Sequence, residues 1–252
     1  MALHWLSRMK PRLDGRSDRL LDGVWGRVLT QSEPQVEQML QSLADWRTSS
    51  SLGCELAERL DPSRDHIVGN PAARIAVVEY DCYGSPSDAR DDRAFRAELR
   101  GVLEQGRVCF ARRHFPLIDA HPEAWLAACA VEAADYQGRF WDLHEAMSQA
   151  LAQTSSRRLE PRLILALARD LGLSVDRLID DIVRPAIADR IMGEFRGGVR
   201  SGVNGTPTFY VAGIRQLVDT PEQLIRRLER ALGGDLTALW PPITQPPGRH
   251  PA

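Results

Sequence analysis

Ile75-Ala76-Val77-Val78-Glu79-Tyr80 decides the fold, because so continuous an apolar run reads as a strand covered on both faces rather than one half-exposed to water. Val108-Cys109-Phe110-Ala111 reads the same way, and a helical segment from Pro86 to Glu104 lies between them. The order is therefore β-α-β, for which a right-handed crossover is expected. From Pro122 to Gly202 apolar residues recur at helical spacing. Leu126, Cys129, Ala130 and Ala133 mark one helix, and Phe140, Leu143, Met147 and Leu151 a second. Leu163, Ile164, Leu167 and Leu171 mark a third, and Ile187, Ile191, Phe195 and Val199 a later one. Strand signals return at Thr208–Val211 and Arg215–Val218, joined by a tight turn near Ala212-Gly213. The last helix opens with Thr220 as cap, Pro221 at its first position and Gln223 completing a capping box, and it stops before Gly233. The whole is an α/β pattern: β-α-β, a helical insert, then β-β-α.

The flanks read differently. Residues 1–64 are predicted to form a helical extension: Ser17 caps a segment carrying Leu20, Leu21, Val24, Trp25 and Val28, and Ser32 with Gln35 forms a capping box ahead of Val36, Met39, Leu40, Leu43 and Trp46. Such stripes need a surface to bury against, either the main domain or a partner. Residues 233–252 are expected to be a disordered proline-rich tail. A formal charge of -2 gives no electrostatic case for nucleic acid or an anionic membrane. No run approaches the roughly 20 apolar residues of a spanning helix, and the opening residues hold no secretory apolar core, so the expectation is a cytoplasmic protein. Cys54, Cys82, Cys109 and Cys129 form no C-x-x-C, which argues against a zinc knuckle or a local redox pair and fits a reducing compartment.

Four segments carry a family resemblance. Asp65-His66-Ile67-Val68-Gly69-Asn70 followed by Ala76–Tyr80 is one; Arg113-His114-Phe115-Pro116-Leu117 with His121-Pro122 is the second. Gly138-Arg139-Phe140-Trp141-Asp142-Leu143-His144 and Gly202-Val203-Asn204-Gly205-Thr206-Pro207-Thr208-Phe209 complete the set. In this order they resemble the DsbA-like family of the thioredoxin superfamily, over about two-thirds of the chain. The resemblance implies a thioredoxin-like domain at 65–232 with a helical insert at 122–202. In redox-active members of the family the first core strand leads into a Cys-Pro-x-Cys turn. Here the matching turn is Ser85-Pro86-Ser87-Asp88, with Ser85 at the nucleophilic position and Asp88 at the resolving one. Neither a hydroxyl nor a carboxylate forms a mixed disulfide, so this alignment excludes dithiol exchange at the turn. Thr206-Pro207 matches the cis-proline loop, whose backbone pairs with extended substrates in redox members. That surface is thus the expected site for a peptide, protein or small-thiol ligand.

Several readings of the turn stand side by side. Ser85-Pro86-Ser87-Asp88 explains itself as a helix start, with Ser85 as cap, Pro86 at the first position and Asp88 facing the helix dipole. Ser85-Pro86 also resembles half of the Ser-Pro-x-Ser turn of kappa-class transferases and chromene-carboxylate isomerases, in which the first serine bonds the glutathione sulfur; Asp88 departs from that pattern. Cys82-Tyr83-Gly84-Ser85 is formally a monothiol C-x-x-S, which makes Cys82 an alternative redox centre. Glu79 sits where family members carry a carboxylate beneath the active turn; burial would raise its pKa and fit it to relay protons, but with no thiol above it a hydrogen bond to a hydroxyl or water is the plainer reading. His114, His121 and His144 match no metal spacing and are read, like Cys109 and Cys129, as core or capping residues. The expectation is a relative of thiol–disulfide oxidoreductases that is not itself one: a non-redox binding or scaffolding module without metal or cofactor, glutathione being left open.

Overall fold

The computed structural model describes residues 33–45, 55–84, 86–153, 159–218 and 220–239, with the side chains at 86–88 and 91 outside that description. Five strands form one sheet in the order β1-β3-β2-β4-β5. They are β1 (His66–Gly69), β2 (Ile75–Asp81), β3 (Val108–His114), β4 (Thr208–Val211) and β5 (Ile214–Gln216). β2 and β3 run parallel and the other neighbours antiparallel. Residues 33–45 form α1, Pro86–Glu104 forms the crossover helix α2, and Pro221–Leu232 forms α8. The insert supplies α3 (Ala124–Asp135), α4 (Phe140–Gln153), α5 (Pro161–Asp170), α6 (Val175–Ile182) and α7 (Pro185–Ser201).

Alternation along the strands divides the core in two, because neighbouring side chains point to opposite faces. Val77, Phe110, Phe209 and Val211 pack against Phe95 and Leu99 of α2 and Leu224 and Leu228 of α8. Val78, Tyr80 and Tyr210 face the other way, into a larger cluster with Phe115 and the insert helices. A fully buried side chain such as Phe95 or Leu99 contributes about 1.5–3 kcal/mol, so both faces of the sheet are held strongly. Val36, Met39 and Leu43 of α1 are sealed into the larger cluster, so this helix of the extension covers the domain.

Three expectations need correction. Residues 55–64 are not helical: Leu56 N–H donates to Gly213 O, Glu55 bridges Ile214 on β5, and Asp61 accepts from Ser63 N–H in a turn at Pro62. Those bonds to the sheet and within the turn take the place of a helical ladder, and they move the start of the packed domain from 65 to 55. The tail also begins later, since Leu236–Leu239 form a 3-10 turn whose Ala238 and Leu239 are buried, with Leu239 O accepting from Gln216 Nε2. The second hairpin strand is Ile214–Gln216, ending before Val218. The proposed helix at Ser17–Val28 lies outside the described residues, as do residues 240–252. The periodicity reading did not separate α6, whose start is marked by Ser174 accepting from Arg177 N–H.

Helix α7 ends at Gly202, in the left-handed region at φ +79°, where Val203 N–H turns back to Gly198 O. The chain is thereby steered into Val203–Pro207 and then β4, which starts beside the end of β2.

Candidate functional site

Tyr80 pairs with Thr208 across β2 and β4, and Asp81 with His114 across β2 and β3. This register brings three chain segments to one end of the sheet: the turn after β2, the Thr206-Pro207 loop before β4, and the exit from β3. The Thr206–Pro207 peptide is cis, and both residues are half-buried. Arg215 on β5 braces the loop by donating to Gly202 O at 2.6 Å and to Asn204 Oδ1. Thr208 Oγ1 donates to Gly205 O at 2.7 Å.

Ser85 lies outside the described residues, and Asp88 is described as backbone within α2, which begins at Pro86. Cys82 is 3 % exposed, and its Sγ accepts from Leu117 N–H at 3.4 Å, which fixes the thiol inside the loop rather than at its surface. Gly84 packs so tightly on His121 that a Cβ there would run into the imidazole. Cys109 and Cys129 are buried, and burial pushes both thiols up from their ordinary pKa. Among the described cysteines none is disulfide-bonded and none is exposed.

Beneath the turn lies a sealed polar network that the sequence reading did not find. Arg112 Nη2 donates to Asp81 Oδ2 at 2.6 Å, and Arg112 Nη1 lies 2.9 Å from His144 Nδ1. A guanidinium only donates, so Nδ1 must carry the lone pair and Nε2 the hydrogen. Nε2 points to Asp92 Oδ2 at 3.4 Å. Tyr83 O–H also reaches Nδ1 at 2.9 Å, and its ring lies under the Arg112 guanidinium at 4.2 Å. Burial, with Arg112 alongside, drives the His144 pKa down to about 3, so the imidazole is neutral. Burial opposes charge on Asp92, yet the facing His144 edge and the Arg112 and Arg96 cations outweigh it and hold this carboxyl well below the usual range. His144 thus does occupy the core, but as the hub joining α2, α4, β3 and the Tyr83 turn. Its signals in sequence were charged residues inside apolar elements: Asp92 on the stripe of α2 and Arg112 in the middle of a covered strand.

Glu79 is fully buried, and neither carboxylate oxygen has a hydrogen-bond partner among the described residues. Burial, reinforced by Asp92 and Asp81, raises its pKa well above that of a free carboxylate.

A second cluster stands at the exit from β3. His114 Nε2, Glu132 and Glu194 offer ligand atoms within 4.8 Å of one another, as a metal would require. Arg190 stands against both carboxylates, 2.9 Å from Glu132 and 3.3 Å from Glu194, and His66 Nε2 adds a contact to Glu132 at 3.1 Å. The cluster thus contains its own cation, and its members form a buried ion-pair network.

The comparisons with known proteins agree with this geometry. Residues 111–231 match the model of the DSBA-like thioredoxin domain. A thioredoxin-like oxidoreductase from Silicibacter pomeroyi DSS-3 superimposes with a TM-score of 0.56 at 27 % identity, covering 68 % of this chain and 93 % of that one. Wolbachia pipientis alpha-DsbA1 gives 0.61 at 17 % identity, covering 72 % and 97 %. Oxidised BdbD from Bacillus subtilis gives 0.60 at 19 %, covering 72 % and 100 %. The fold and its matched residues define a thioredoxin-like protein with an inserted helical domain. Within that class residues 111–231 form a DSBA-like thioredoxin domain. Curated relatives named Na(+)/H(+) antiporter NhaA 1 from Salinispora arenicola and NhaA from Herminiimonas arsenicoxydans are 36 % and 34 % identical over 161 and 174 residues, or 64 % and 66 % of this chain. The chain spans about a quarter of the length of these relatives, 24 % and 25 %.

Proposed function

We propose that this DsbA-like domain works as a non-redox binding module, with the Thr206-Pro207 loop and the adjoining turn as its contact surface for a peptide, protein or small thiol. The observation that carries this reading is the Ser85-Pro86-Ser87-Asp88 turn at the head of α2: sulfur is missing from both positions at which dithiol exchange would occur. Cys82, three residues upstream, offers no substitute, because its thiol is buried and bonded to Leu117 N–H. The bracing of the loop by Arg215 supports a preformed surface, which binds without first losing conformational freedom. Antiport, as named for the longer relatives, is not carried over: no helix among the described residues is long and apolar enough to cross a membrane.

The test is an insulin-reduction assay with dithiothreitol as electron source, paired with calorimetric titration of reduced glutathione. The module reading expects background rates in the first. Turnover abolished by Cys82→Ser would establish a monothiol enzyme in its place. Glutathione binding that Ser85→Ala weakens, accompanied by conjugation or isomerisation, would make the domain a glutathione-dependent enzyme.

A further inference from the structure

The two edges of the sheet are finished differently. At β5 the chain covers its own edge through the Glu55–Ile214 bridge and the Leu56–Gly213 hydrogen bond. At the other end β1 pairs with β3 alone among the described strands, so half of its N–H and C=O groups point away from the sheet. Along that edge runs a groove of about 420 Å³, with His66, Ile67 and Gly69 on one wall and Asp135, Trp141 and Asp142 on the other. Its described lining includes no lysine or arginine. Asp135 and Asp142 are each about half exposed, the first 3.6 Å from His66 Nδ1 and the second paired with Arg139 at 2.7 Å. Trp141, with Phe140 beside it, gives the groove an aromatic wall suited to the methylene stem of a long side chain.

From these features we infer that the β1 edge is a docking site for an extended, lysine- or arginine-bearing segment of a partner protein, which adds a sixth strand beside His66–Gly69 and lays a basic side chain between Asp135 and Asp142. The open backbone supplies the ladder and the carboxylates select the charge. A second copy of the chain does not suit the site, since two edges brought together would set acidic groove against acidic groove. The inference stands apart from the Thr206-Pro207 surface and does not depend on it.

The experiment uses the full chain and three fluorescein-labelled heptapeptides alternating valine with lysine, valine with glutamate, and proline with lysine. Anisotropy should show saturable binding of the valine–lysine peptide, none of the glutamate peptide, and much weaker binding of the proline peptide, which lacks ladder N–H groups. Asp135→Asn with Asp142→Asn should weaken the first by about tenfold, roughly threefold for each exposed charge. Both changes are at the surface, and an unaltered Tm verifies the fold. Amide shifts should centre on Ile67–Gly69. Equal affinity for the proline peptide, an unaffected double variant, or shifts centred on Pro207 would each overturn the inference.

Discussion

Arg112 and Asp81 face each other across 2.6 Å with 1 % and 3 % of their surfaces exposed, and no other cation comes as close to Asp81 among the ion pairs described. The pair lies under the turn that leads from β2 into α2, so its integrity bears on the shape of the candidate site above it.

Replacing Arg112 with methionine removes the cation facing buried Asp81 and should cost about 3–5 kcal/mol, the usual penalty for breaking a sealed ion pair from one side. Adding Asp81→Leu should recover part of that loss by removing the uncompensated carboxylate, while the Arg112 contacts to His144 and Tyr83 stay lost. Urea denaturation of the three variants measures both effects; a double variant no better than Arg112→Met would show that the pair is not the source.

Glu79 predicts a pH dependence of one sign. Its folded pKa is raised above the unfolded value of 4.5, so its contribution is whole below that pH and is lost as the pH rises towards the folded pKa. Glu79→Gln removes that loss. It should therefore raise Tm at pH 8 by about 2–4 °C, the shift that about 1 kcal/mol produces in a domain of this size, with little change at pH 4. A gap that is constant across pH would sink the assignment.

Glu132 predicts the opposite slope. Burial disfavours its charge, but hydrogen bonds from His114 and His66 prevail and hold its pKa below the unfolded 4.5. Its contribution is whole above that value and is lost as the pH falls below it. Glu132→Gln should lower stability at pH 7 by about 3 kcal/mol and flatten the fall in Tm between pH 5 and 3 relative to the parent chain.

Gly84 has no room for a side chain against His121. Gly84→Ala should cost about 1–3 kcal/mol through overpacking, and His121→Gly introduced with it, which removes the facing Cβ as well as the ring, should restore part of the loss. Thermal unfolding of both variants checks this; full stability of Gly84→Ala alone would contradict the contact.

The architecture was legible because its covered strands and helical stripes keep strict periods. Val77 and Val78 reach opposite cores, as a strand buried on both faces requires, and Phe140, Leu143, Met147 and Leu151 all lie inside. β1 was hidden by its brevity, and residues 55–64 by relying on distant partners such as Arg113, whose guanidinium takes Glu58 O, Arg59 O and both Asp65 oxygens. The site was legible only in part. The cis-proline loop has a local signature; the Arg112–His144–Asp92 network does not, since residues 20 and 32 positions from Arg112 meet only once the sheet and insert have closed.

The stretch from Glu55 to His66 ties the two borders of the sheet together, seated at β5 by Glu55 and at the far side by the Asp65 carboxylate in the grip of Arg113. Because both anchors lie far off in sequence, this stretch can take up its course only after β5 and β3 have been brought into the sheet.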